Sequence, residues 1–244
     1  MIKNNIGIIV IGLAAIISSI IIGNAYKYKF KTVETISVTG LADKDFESDQ
    51  IIWNGNFSRK SLDLKSAYAD VKKDELKIKT YLQSKGIDEK EMIFSAISIT
   101  KEFDSKYATD GRQIENNFSG YLLSQTVTVD SKNLNKVEKI SREVTELIED
   151  GIELNSSAPS YYYSKLSELK LDLLAKAAAD AKLRAETMAK NSGGSLGDIK
   201  KCNMGVFQIT GQDSNEDYIY GGAFNTSSRN KKASITVKTE YGVK

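Results

Sequence analysis

Aspartate and glutamate dominate the side chains of this 244-residue chain that could do chemistry, because it contains no histidine. Histidine is the usual general base near neutral pH and the commonest metal ligand, so every Ser-His or Cys-His nucleophile arrangement is excluded with it. Asp43, Asp45, Glu47 and Asp49 recur at every second position, a spacing that invites comparison with a calcium loop. An EF-hand loop needs glycine at its sixth position and glutamate at its twelfth, and this segment has neither, so it reads as a solvated turn or strand edge. The lone cysteine, Cys202, can build neither an intramolecular disulfide nor a thiolate metal cluster. At the start of a strand it reads as a small buried apolar residue. The glycines at 193, 194 and 197 follow a helix rather than preceding one, so they read as a helix stop and not as a phosphate cradle. Pairs of carboxylates can hydrolyse glycosides without histidine, but no pair here has a spacing that singles it out. No catalytic, cofactor-binding or metal-binding residue is assigned, and no cofactor is expected.

The remaining candidates are aromatic. Residues 211–232 are polar, glycine-rich and longer than an ordinary connection, and such excursions are usually functional or disordered. Tyr218, Tyr220 and Phe224 within them are candidate partner contacts, because aromatics anchor interfaces; a flexible hairpin tip is the competing reading. Tyr161, Tyr162 and Tyr163 form a second cluster, but consecutive strand residues point to opposite faces, so part of it belongs to a core. Lys and Arg total 34 against 32 acidic residues with the signs mixed, which leaves no footprint for nucleic acid.

The elements that position these residues begin with an uncharged run over residues 6–23, preceded by Lys3 and followed by Lys27, Lys29 and Lys31. As a helix it rises about 27 Å, close to the hydrocarbon core of a bilayer. It is expected to hold the chain in the membrane as a single transmembrane helix. Gly23 and Ala25 ahead of Tyr26 offer the alternative of a cleaved signal peptide. Lysines on both sides leave orientation unsettled by charge, and no cysteine follows the run to permit lipoprotein processing.

Beyond it, residues 34–40 and 50–59 alternate like two neighbouring strands. Leu64, Ala67, Val71, Ile78 and Leu82 form a stripe on a helix over residues 61–84, interrupted at Glu75 and stopped by Gly86. Ile93, Ile97, Ile99 and Phe103 share one parity, as do Tyr121, Leu123, Val127 and Val129, which predicts an antiparallel pair of long strands. A second helix follows from Leu134 to Leu147, capped by Ser131 or Asn133 and ended by Gly151, and residues 152–164 read as a strand. The third helix, 166–191, carries Leu166, Leu169, Leu173, Ala177, Ala181, Ala185 and Met188 on one face, and its alanines permit close backbone approach. Strands over 199–210 and 233–241 close the chain. The fold class is therefore α+β, a mixed and largely antiparallel sheet packed against three long helices and preceded by one N-terminal transmembrane helix. The expected layout is an anchor or signal segment at 1–25, a basic linker at 26–33 and one domain at 34–244.

At this point the chain resembles the SIMPL-domain family. The resemblance rests on ISVTG, SITKEFDS, FSGYLLSQTVTVDSKNLNKV, IELNSSAPSYYYS and LLAKAAADAKLRAETMAKNSGGSLGDIKK, in that order, and covers residues 35–244. Its most specific parts are GYLLSQTVTV followed by NLNKV, and the alanine-rich helix closing on SLGDI. The resemblance implies an α+β protein of the bacterial envelope, in some members a large ring-like oligomer, and carries no catalytic motif. The expected function is a non-enzymatic, membrane-tethered interaction or assembly module of the cell envelope, held through residues 6–23. Its partner would be further copies of itself or another envelope protein, and its soluble part would face the periplasm or outside. The alternative is a small-ligand or stress-response binding protein, or, after signal cleavage, a periplasmic one.

Overall fold

The computed structural model describes residues 2–29, 34–217 and 219–244. Helix α1 (Ile2–Lys29) runs four residues past the expected end of the anchor. Its stretch Val10–Lys27 is long and apolar enough to cross a membrane and has none of its residues buried. An apolar helix left uncovered by its own protein fits a signal anchor or a signal peptide.

The chain divides into two compact units, one of residues 42–176 and 206–236, the other of residues 1–41, 177–205 and 237–244. The larger unit is built on the antiparallel pair β2 (Gln50–Ser61) and β5 (Gln113–Ser131). Strand order is β3-β5-β2-β6, with β3 (Met92–Phe94) and β4 (Ser98–Tyr107) both pairing β5, and with β6 (Leu154–Ser156) and β7 (Ser160–Tyr162) both pairing β2. The period of two puts Ile51, Trp53 and Phe57 on one face with Leu123, Val127 and Val129, all buried. Helix α2 (Leu64–Ser84) adds Ala67, Val71, Ile78 and Leu82 to this core, and α3 (Leu134–Glu143) adds Leu134, Val137 and Ile140. Asp63 caps α2 through the Ser66 amide, and Asn133 caps α3 through that of Lys136.

Several expectations are revised here. The second helix is α-helical only to Glu143 and tightens to a 3-10 turn over Val144–Ile148. The interruption of the α2 stripe is Asp74, buried one residue before Glu75, where Arg59 reaches it through Nε at 2.5 Å and Nη2 at 3.0 Å. Ile93 faces solvent, because residues 95–97 break the strand and Met92 takes the core position. The strand over 152–164 is two short pieces separated around Pro159, which has no N–H to give to a ladder.

The other sheet has the order β1-β10-β8, with β9 (Gln208–Gly211) also pairing β10; β1 is Thr35–Glu47, β8 Leu196–Met204 and β10 Asn230–Val243. The expected strand over 199–210 is thus split between β8 and β9. Strands β1 and β2 follow one another in the chain but belong to different sheets, not to one pair. The Ser48 amide donates to the Arg229 carbonyl at 3.0 Å and the Asp49 amide to that of Tyr162 at 3.0 Å, so the connection is held by two different segments.

In the smaller unit, the alanine face of α4 (Leu166–Asn191) approaches β1 closely at Gly40. A Cβ at Gly40 would lie 2.2 Å from the Ala177 carbonyl oxygen and 2.4 Å from the Ala181 amide nitrogen. Ala177, Ala181, Ala185 and Ala189 are buried, and Ala189 replaces Met188, which is half-exposed, at the end of the face. Gly193, at φ 81°, ends the helix. Cys202 is exposed, contrary to its reading as a core residue. It sits on β8 opposite Thr239, and every residue from Asp198 to Met204 is exposed, so among the described residues neither face of this part of β8 is covered.

Candidate functional site

Strand β5 has 19 residues and β2 only 12, and their pairing ends at Ser61 opposite Tyr121. The first part of β5 is therefore left with β4 as its partner, and the two project as a ribbon. Gly120 sits where the ribbon leaves the sheet, at φ 138°, and a Cβ there would lie 2.9 Å from the Ser61 carbonyl oxygen. Lys60 braces the departure by pairing with Glu102 at 2.7 Å and donating to Ser119 Oγ at 3.2 Å. The hydrogen bond to Glu102 raises the Lys60 pKa. At the far end the Ala108 amide donates to the Arg112 carbonyl at 2.8 Å and the Arg112 side chain pairs with Asp110 at 2.6 Å. The hydrogen bond from the Arg112 amide holds the Asp110 carboxyl below its ordinary pKa.

The two sides of this ribbon differ. Ile99, Phe103 and Tyr107 alternate onto one side of β4, with Phe118 and Tyr121 of β5 beside them. Phe103 and Phe118 meet edge to face at 5.7 Å between centroids, and Phe118 and Tyr121 at 5.0 Å. Tyr121 packs on the core, but Ile99 is 55% exposed, Phe103 49%, Tyr107 64% and Phe118 41%. The other side carries Glu102, Asp104 and Lys106, with Lys106 and Glu115 paired across the strands at 2.6 Å. A two-stranded ribbon is marginal in water by itself. This one also shows a partly exposed aromatic cluster, Phe103, Phe118 and Tyr121, which makes it the candidate contact surface of the chain. The shared parity of Ile99 and Phe103 placed them in a strand without saying whether their side is covered; the length mismatch between β2 and β5 is the signal that decides it.

The expected aromatic site in residues 211–232 is differently arranged. Tyr218 lies outside the described residues. Tyr220 is 99% exposed, whereas Phe224 is held in place by a backbone bridge to Ile209. Among the described residues no ring contact joins Tyr220 to Phe224. The segment is tied down by the Gln208 side chain, which accepts from the Ala223 amide at 2.6 Å and donates to the Ile219 carbonyl at 2.9 Å. Arg229 adds bonds to Glu47 at 2.7 Å and Asn135 at 2.6 Å. Buried Lys231 donates to the Asn225 carbonyl at 2.6 Å, and burial pushes its pKa down to about 8. Tyr161, Tyr162, Tyr163, Phe224 and Lys231 line a small cleft of about 10 Å³, room for about one water. Asp43, Asp45 and Glu47 of the acidic run lie on β1, with Glu47 on Arg229 at 2.6 Å and Asp43 and Asp45 both near Lys232, while Asp49 follows the strand and accepts from the Ser164 amide at 2.7 Å.

An apolar N-terminal helix followed by helices and antiparallel sheets makes this an α+β protein. A family model described as SIMPL, a protein of unknown function (DUF541), matches residues 36–241. The chain belongs to the SIMPL family. Comparison with curated proteins gives no match.

Proposed function

We propose that this chain is a membrane-tethered assembly module of the bacterial envelope and catalyses no reaction. Residues 6–23 hold it in the cytoplasmic membrane, and the folded part faces the periplasm or outside. The observation that carries this reading is the β4–β5 ribbon, whose aromatic side leaves Phe103 half-exposed and Tyr107 exposed among the described residues. Surface of that kind gains free energy when a partner covers it, at roughly 25 cal/mol per Å² of apolar area. The absence of histidine agrees with a role without acid-base chemistry. The test is made in bacterial cells producing the full chain. Protease added to spheroplasts should digest the folded part, the membrane fraction should retain residues 1–25 by intact mass, and a short amine crosslinker should give species larger than one chain. A product beginning at Tyr26 in the osmotic-shock fluid would replace the tether with export, and a chain that crosslinks to nothing would remove the assembly role.

A further inference from the structure

Resting on that reading of an assembly module, we propose that the partner is a second copy of this chain, joined edge to edge through β4 about a twofold axis at Ser105. Strand β4 pairs β5 along one edge, and among the described residues no strand covers the other, so its outward N–H and C=O groups are a template for another strand. The bulges of the ribbon fall on β5, at Ser119 and Ile114, which leaves β4 regular along its open edge.

Side-chain chemistry then selects the register. In a symmetric antiparallel pair the aromatic sides of both copies coincide only if a residue, rather than a peptide bond, lies on the axis. An axis at Phe103 sets Glu102 against Asp104 of the second copy, and an axis at Asp104 sets that carboxylate against itself. An axis at Glu102 or Lys106 likewise opposes identical charges. With Ser105 on the axis, Asp104 faces Lys106 of the second copy and Phe103 faces its Tyr107, each twice. This register pairs opposite charges on one side and aromatic rings on the other, the two kinds of cross-strand neighbour that stabilise a sheet. Lys106, already beside Glu115 at 2.6 Å, has ammonium donors left for the second carboxylate.

The experiment uses the full-length chain in detergent with Cys202→Ser, which removes the single native thiol. Ser105→Cys in that background should give a disulfide-linked dimer on mild oxidation, because the two copies of residue 105 lie within disulfide reach. Thr100→Cys should give at least tenfold less, its two copies lying about 34 Å apart along the paired strands. Adding Asp104→Lys to Ser105→Cys places like charges across the axis and should lower the dimer yield severalfold. Equal crosslinking at residues 100 and 105, or a yield indifferent to Asp104→Lys, would overturn the proposed register. An oligomer in which Ser105→Cys never crosslinks would overturn the pairing and leave the assembly role standing, with β4 then facing another protein or the bilayer. A monomeric chain would overturn both.

Discussion

Replacing Gly40 by alanine adds one methyl group at the point where α4 lies closest to β1. Its Cβ would come to 2.2 Å from the Ala177 carbonyl oxygen, 2.4 Å from the Ala181 amide nitrogen and 2.7 Å from the Ala181 methyl. The first two are helix backbone, which cannot rotate away, so the helix must move out by about 1 Å to restore ordinary contact. Over-packing of this kind costs about 1 to 3 kcal/mol. Against it stands the strand preference of alanine over glycine, about 0.5 to 1 kcal/mol. The net expectation is a loss centred on about 1.3 kcal/mol, which at a urea dependence of about 2 kcal/mol per molar moves the midpoint down by roughly 0.6 M. The assay is urea unfolding of the full chain in detergent, followed by far-UV circular dichroism. Gly242→Ala is the control, since its Cβ meets the flexible Lys200 side chain at 3.2 Å, and should stay within about 0.5 kcal/mol. A Gly40→Ala midpoint equal to or above the parent would refute the close packing of α4 on β1.

Asp74→Ala should lower stability by about 2 to 4 kcal/mol, because it strands the Arg59 guanidinium, which Asp74 meets at 2.5 and 3.0 Å; a Trp53 fluorescence midpoint shifted by less than a fifth of that would show the pair to be unimportant. Cys202 should react with a thiol reagent in the native protein nearly as fast as in denaturant, since it is exposed on β8, and labelling that waits for unfolding would return it to a core. The Lys231 ammonium has its pKa lowered from 10.5 to about 8 by burial, so the unfolded chain holds this proton through a window in which the folded chain has lost it. Stability should therefore rise from this group as pH climbs from about 8 to about 10.5, by up to about 3 kcal/mol, and the rise should vanish in Lys231→Met; equal pH slopes in the two proteins would show that the lysine is not buried.

What could be read before the fold was known follows from how local each signal is. The caps at Asp63 and Asn133, the stops at Gly86 and Gly193 and the alanine face of α4 all depend on neighbours within a few residues, and caps, stops and periodicity are encoded there. Asn133 was one of two candidates for its cap, whereas Asp63 lay inside a helix expected to begin at Ser61. Burial of Asp74 was not legible, because its partner Arg59 is on another element and a lone carboxylate in an apolar stripe looks like an interruption. The misplacement of Cys202 has a similar cause: a strand residue is buried or exposed according to what covers the faces of its sheet, and both faces of β8 are exposed around it. The ribbon shows the limit most clearly. Phe103 and Phe118 have the alternation of core residues, and only the length of β5 against β2 shows that no layer reaches them. In the segment 211–232, its polarity and length suggested a free loop, whereas Gln208, Arg229 and Lys231 fasten it from outside or from its end.

The central claim is that the aromatic side of the β4–β5 ribbon is an assembly surface, and the most direct measurement is the mass of the full-length particle in detergent with Phe103 and Phe118 both changed to serine. Both rings are about half exposed, so the fold should survive, which an unchanged far-UV spectrum would confirm. The parent is expected as an oligomer, and the double variant as a smaller species at the same concentration. A parent that is already a monomer, or a variant that keeps the parent's mass, would contradict the account.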